Sequence, residues 1–148
     1  MQNLKKQEII TNTKKQQIKL SVPNEPEYLS VVRLTTSGIA NRVGFDLEEI
    51  EDIKLAVAEA CTNAMTHGKA ENGNYNIEFT IEKESMIIEV KDSGKGCMVE
   101  NIRKPQEREL AEGGLGVFII KSLMDKVEIS SKLGKGTTIK MMKKIGGK

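Results

Sequence analysis

With 148 residues, 38% apolar and 30% charged, the chain has the balance of one soluble domain, which excludes disorder, and its longest apolar run, Val117-Phe118-Ile119-Ile120, excludes a membrane-spanning helix. Two cysteines, Cys61 and Cys97, exclude a disulfide framework, and residues 1–17 lack the apolar core of a secretion signal, so a cytoplasmic protein without membrane contact is expected. The formal charge of +2 divides into +3 over residues 1–17, +6 over 132–148 and −7 between them; with lysine-only charge at the ends, 3% aromatics and no Trp, it excludes a surface built for direct nucleic-acid binding.

The sequence predicts a flexible basic tail over 1–17 and a single domain over 18–145. Ile18, Leu20 and Val22 alternate with polar residues as in a strand. Pro23 stops it, and Pro26 suits the first turn of a helix running to about Val43, with Leu29, Val32, Ile39, Ala40 and Val43 near one side. Gly44 breaks that helix. Asp46, with Glu49 three residues on, has the form of a capping box opening a second helix. Its buried stripe is Ile50, Ile53, Val57, Ala60, Cys61 and Ala64, and Gly68 ends it.

Tyr75, Ile77, Phe79 and Ile81 alternate as a half-buried strand. The polar turn Glu82 to Ser85 joins them to a second strand, Met86 to Lys91, in a hairpin. About sixteen polar residues without a clean period follow Gly96. Gly113-Gly114-Leu115-Gly116 then opens a third helix through Leu123. Lys126 to Ser131 and Thr137 to Lys143 form the last strands around the turn Leu133 to Gly136. This order is not the alternation of a parallel sheet. It predicts an α+β fold, a two-layer sandwich with helices on one face of a mixed, mostly antiparallel sheet.

Three features can carry chemistry. Glu59, Asn63 and His67 fall at i, i+4 and i+8, so they share a polar stripe on the second helix. A solvated helix edge explains the spacing equally well, but Asn is a poor mid-helix residue and the neighbours Ala58, Ala60, Cys61 and Ala64 are small and apolar. A carboxylate one turn from an amide oxygen can act as a base beside a Mg²⁺ ligand. The second feature is Asp92-Ser-Gly94-Lys-Gly96 after a strand. A simple turn would look the same; alternatively the glycines admit a flat ligand and Asp92 accepts from an exocyclic amine, as adenine presents.

The third is the helix opening at Gly113 to Gly116, whose unpaired N–H groups suit a phosphate. It lacks a full G-x-G-x-x-G, and neither Gly94-Lys95-Gly96 nor Gly134-Lys135-Gly136 has the Ser/Thr of a Walker motif. One His and two distant Cys make a zinc site improbable. Cys61 reads as core filler, and nothing marks Cys97 as activated.

Taken in order, Glu59-Ala-Cys-Thr-Asn63-Ala-Met-Thr-His67-Gly68, Asp92-Ser-Gly94-Lys-Gly96, Gly114-Leu-Gly116 and Gly134-Lys-Gly136-Thr137-Thr138 resemble the four ATP-binding boxes of the family of gyrase, Hsp90, histidine kinases and MutL. The resemblance spans roughly residues 18–145. The form of the first box and Glu112-Gly-Gly-Leu-Gly116 before Leu123-Met124-Asp125 look like the anti-sigma factor/serine-protein kinase branch, nearest its general-stress type. The resemblance implies a histidine-kinase-like ATPase fold that uses ATP and Mg²⁺. By the same likeness Asn63 holds the Mg²⁺ between the phosphates, and Glu59 is the general base toward a serine hydroxyl. Asp92 accepts from the adenine amine, with Gly94 and Gly96 letting the base approach. Residues from about 97 to 112 are the ATP lid, Gly114 and Gly116 face the phosphates at its far hinge, and Thr137 adds a hydroxyl near the base.

One departure concerns the lid. Some relatives place an arginine before the glycines, where this chain has Ala111-Glu112-Gly113, which leaves Arg103, Lys104 and Arg108 as lid cations without an assigned role. The implied function is sequestration of an RNA polymerase sigma factor, combined with phosphorylation of a serine on an anti-anti-sigma partner by a homodimer. The alternatives are a sequestering module that keeps ATP as a structural ligand, and a histidine-kinase-type ATPase domain standing alone.

Overall fold

The computed structural model describes residues 15–67, 73–92 and 114–147. Along them lie β1 (Gln16–Pro23), a 3₁₀ turn (Pro26–Tyr28), α1 (Leu29–Val43), α2 (Leu47–His67), β2 (Asn74–Ile81), β3 (Ser85–Lys91), α3 (Gly114–Leu123), β4 (Lys126–Lys132) and β5 (Gly136–Lys144). The strands form one sheet in the order β1-β2-β3-β5-β4, and every neighbouring pair is antiparallel. The expected α+β sandwich is therefore present, with a sheet that is antiparallel throughout.

Local signals explain most element boundaries. The Asp46 N–H donates to Glu49 Oε1 at 2.9 Å and the Glu49 N–H to Asp46 Oδ1 at 2.8 Å, a closed capping box that satisfies two otherwise unpaired donors at the start of α2. Glu49 Oε2 also accepts from the Gly146 N–H at 2.7 Å, so the chain end is tied to the same helix start. Gly44 ends α1 at φ 110°, a left-handed position that favours glycine. β1 starts at Gln16, ahead of the first apolar position, because Gln16 and Gln17 pair with Ile81 and Thr80 on β2.

The core lies between the helices and one face of the sheet. Ile50, Ile53, Val57, Ala60, Cys61 and Ala64 of α2 are all buried, as are Val32, Ile39 and Ala40 of α1. They meet Tyr75, Ile77, Phe79, Met86, Ile88, Val90, Ile139 and Met141 from alternate positions of the three central strands. The opposite face carries a charged row running Lys19, Glu78, Glu89, Lys140 and Glu128 across all five strands. That alternation fixes the register, since a one-residue slip would exchange the two faces.

α2 is the central helix, packed against α1 and α3 and touching β2, β3 and β5. The C-terminal end of α3 is clamped by Lys143, which is buried. Its Nζ donates to the Leu123 carbonyl at 2.6 Å and lies 4.0 Å from Asp52 Oδ2 on α2. A cation on the last carbonyls of a helix complements its dipole, and here it holds α3 to both α2 and β5.

Burial pushes the Cys61 thiol up from its ordinary 9.0 to about 12, and the neighbouring Tyr75 hydroxyl opposes this only in part. That hydroxyl closes no hydrogen bond of good geometry among the described residues. The folded chain thus holds the thiol proton more tightly than the unfolded chain does. The associated stability is complete below about pH 9 and is lost as pH rises from there toward about 12. Urea unfolding is expected to show wild type losing stability relative to Cys61→Ala across this window, at up to about 1.4 kcal/mol per pH unit. Parallel curves for the two proteins would refute it.

Candidate active site

The polar stripe of α2 meets the start of α3. Glu59 and Asn63 are half-buried between Ala60, Cys61 and Ala64, which are closed off in the core. The first turn of α3 lies against them. A Cβ placed on Gly116 would stand 3.1 Å from Glu59 Oε2, 3.7 Å from Asn63 Nδ2 and 3.8 Å from Asn63 Oδ1. Gly116 is helical, so its requirement is close approach of backbone to side chains. Two distant segments of the sequence thereby put a carboxylate, an amide and the amino end of a helix at one place.

The chemistry of this group follows from its parts. The first N–H groups of α3 have no partner within the helix, and together with the helix dipole they favour an anion. Asn63 offers an amide oxygen, and Glu59 can accept a proton. Among the described residues no group of three or more His, Cys, Asp or Glu could hold a metal ion. A hard divalent cation at Asn63 would accordingly complete its shell with phosphate oxygens and water, which is how Mg²⁺ commonly binds. The donor set fits that ion.

A second polar group stands at the end of the sheet. The Asp92 N–H donates to the Thr137 carbonyl at 3.0 Å, and the Thr137 N–H donates to Asp92 Oδ1 at 3.3 Å. This double link fixes Asp92, just beyond β3, against the first turn of β5. The Thr137 and Ser131 hydroxyls lie 2.8 Å apart, and all three residues are half-buried. Gly134 and Gly136, at φ 81° and 88°, make the turn that returns β5 to this position.

Of the residues singled out in the sequence, Glu59, Asn63 and Gly116 are brought together, and so are Asp92 and Thr137. Gly114 is the first residue of α3, and His67 is the last of α2. Gly68, Gly94, Gly96, Cys97, Gly113, the expected lid and its cations Arg103, Lys104 and Arg108 lie outside the described residues. Two contributors escaped the sequence reading. Ser131 was visible only as part of a strand, and Lys143 as a terminal charge, although it continues the alternation of Ile139 and Met141, which marks an inward position.

Residues 22–143 match the family described as Histidine kinase-like ATPase domain. The chain is 44% identical over 126 residues to a protein of Halalkalibacterium halodurans named serine-protein kinase RsbW, covering 79% of this chain and 77% of that one. A protein of the same name from Oceanobacillus iheyensis is 44% identical over 127 residues, covering 79% and 80%. Among solved structures, the RsbU and RsbW domains of Rv1364c from Mycobacterium tuberculosis superpose with a TM-score of 0.66 at 18% identity, over 87% of this chain and 32% of that one. That last likeness concerns the fold alone.

Proposed function

The chain belongs to the histidine kinase-like ATPase domain family, and on that premise we propose that it is a serine-protein kinase and anti-sigma factor. It sequesters an RNA polymerase sigma factor and transfers the γ-phosphoryl group of ATP to a serine of an anti-anti-sigma antagonist. The observation that carries this reading is the seating of the first turn of α3 on Glu59 and Asn63, which joins phosphate donors, a metal ligand and a base.

Phosphoryl transfer needs in-line positioning and charge stabilisation more than covalent help. Glu59 takes the proton of the attacking serine hydroxyl as the new O–P bond forms and the bond to ADP breaks. The N–H groups opening α3 hold phosphate oxygens, and Gly114 and Gly116 let them approach. Asn63 would hold Mg²⁺, which would supply neutralisation of phosphate charge. Asp92 accepts from the adenine amine, Thr137 supplies a hydroxyl beside it, and Gly94 and Gly96 leave room for the base.

Sigma and its antagonist would be taken by a cytoplasmic homodimer, and no helix among the described residues is long and apolar enough to cross a membrane. Tyr28, Val31 and Leu34 on and beside α1 are exposed and offer apolar surface for subunit or sigma contact.

The test mixes the chain, Mg·ATP and the antagonist and reads phosphoserine by intact mass. Phosphate on the antagonist supports the kinase. ATP bound and sigma captured without transfer would leave a sequestering module. For base recognition, Asp92→Asn is expected to weaken ATP by about tenfold to a hundredfold and to narrow the preference for ATP over GTP, since one charge-assisted hydrogen bond is lost. Calorimetry with both nucleotides checks it, and identical profiles for wild type and variant would remove Asp92 from the base site.

A further inference from the structure

We propose that Lys143 is a positioning residue for phosphoryl transfer, acting by fixing α3 along its axis so that its first turn stays seated on Glu59. The inference deepens the reading above and rests on it, because it takes Glu59 as the group that receives the serine proton.

Polar groups link α2 and α3 at two levels. At one, Gly116 stands against Glu59 and Asn63. At the other, Lys143 Nζ donates to the Leu123 carbonyl at 2.6 Å and lies 4.0 Å from Asp52 Oδ2. Asp52 precedes Glu59 by seven residues on α2, and Leu123 follows Gly116 by seven on α3. The two helices are thus antiparallel, and the levels are about 10 Å apart along each of them. Seven residues make two turns, so Asp52 and Glu59 share one face of α2.

The register explains why a lysine fills this place. Lys143 is buried in the inward row of Ile139 and Met141 and pairs with Met86 on β3. On its other side β4 has not yet begun, since the first residue of that strand, Lys126, pairs with Met142. The end of α3 arrives there instead, and its last carbonyls have no partner within the helix.

Apolar packing alone fixes α3 less well. Val117 and Ile120 of α3, and Met124 just beyond it, are buried, but burial of this kind is non-directional. The Asp125 N–H donates to the Met142 carbonyl at 2.9 Å, which ties the end of the helix to the sheet and not to α2. The Lys143 bond is charge-assisted and has a preferred length and angle, and its second partner lies on the helix that carries Glu59. A helix moves along its axis as one piece, so a slide at Leu123 reaches Gly116 undiminished. The margin there is narrow, because a Cβ at Gly116 would already stand 3.1 Å from Glu59 Oε2.

The experiment uses the full chain with Lys143→Met, which keeps a long apolar stem but has neither charge nor donor. Single turnovers with saturating Mg·ATP and the antagonist are read by intact mass, with calorimetry for ATP and thermal melting alongside. Transfer is expected to fall by about threefold to tenfold in a protein that is folded at the assay temperature, while ATP affinity changes less. In a Glu59→Gln background the same substitution should cost little more, since both act on one group. Lys143→Arg, which keeps charge and donors, should hold the rate nearer to wild type. A wild-type rate for Lys143→Met, or a loss that adds in full to that of Glu59→Gln, overturns the role of Lys143 and leaves the kinase reading standing. A loss that merely tracks the unfolded fraction overturns it too. A wild type that transfers no phosphate overturns both. Should Lys143→Met fail to fold, Asp52→Ala at its half-exposed helical position releases Lys143 from α2 and is read by the same rates.

Discussion

Glu59→Gln is expected to lower serine phosphorylation by about 10²–10⁴-fold, the usual contribution of a positioned general base, while the protein still binds Mg·ATP. The substitution is nearly isosteric. Gln keeps the bulk that lies against the start of α3, where Glu59 Oε2 lies 3.1 Å from a Cβ built at Gly116, and it keeps one oxygen as an acceptor. What it loses is the capacity to take up a proton. Single-turnover assays read by intact mass measure the transfer, and calorimetry measures the nucleotide. Transfer within about tenfold of wild type would show that the serine hydroxyl loses its proton elsewhere. Parallel loss of rate and affinity would make Glu59 a ligand of the nucleotide or its metal.

The two halves of this chemistry differ in how far sequence discloses them. Glu59 and Asn63 are one turn apart, so their common face follows from helical spacing alone. The start of α2 is equally local, because both partners of the Asp46–Glu49 box lie within four residues. The β2–β3 hairpin could be read from alternation and one polar turn, and α+β layering from the order of elements. Apart from the layering, each of these signals is local to one element or to two neighbouring ones.

What was hidden depends on chain closure over long distances. Gly116 and Glu59 are 57 positions apart, and no periodicity states that one sits upon the other. The Ser131–Thr137 pair is close in sequence, yet it exists only because β4 and β5 adopt a register that sets the two residues opposite. Gln16 and Gln17 have no strand signal of their own and are extended by their β2 partners. Lys143 shows the converse error, a charge at a basic chain end that turns inward because the α3 carbonyls and Asp52 receive it. Composition describes such a residue poorly, since its burial follows from a partner that is distant in sequence.

Gly116→Ala separates positioning from folding at the same centre. Alanine is the better helix former by about 0.5–1 kcal/mol, and Gly116 has no left-handed backbone conformation to lose. Thermal stability is therefore expected to hold or rise. The new methyl group nevertheless falls 3.1 Å from Glu59 Oε2 and under 4 Å from both terminal atoms of Asn63. Backbone in the first turn of α3 cannot retreat easily, because Lys143 anchors the far end of that helix. The carboxylate ends a flexible side chain and yields instead, turning away from the position at which it would meet a serine hydroxyl.

The carboxylate has to give by a few tenths of an ångström, a fraction of the roughly 1 Å misplacement that costs about 10²-fold. The expected result is a well-folded protein whose transfer rate falls by roughly threefold to tenfold while ATP affinity changes less. If the damage runs through Glu59, the Glu59→Gln/Gly116→Ala double variant should lose little beyond Glu59→Gln alone, since the two substitutions disable one group. Additive losses would place the methyl group's effect on the phosphates, where a bare glycine gives the nucleotide its approach. Unchanged transfer would mean that Glu59 and α3 are parted in the working complex.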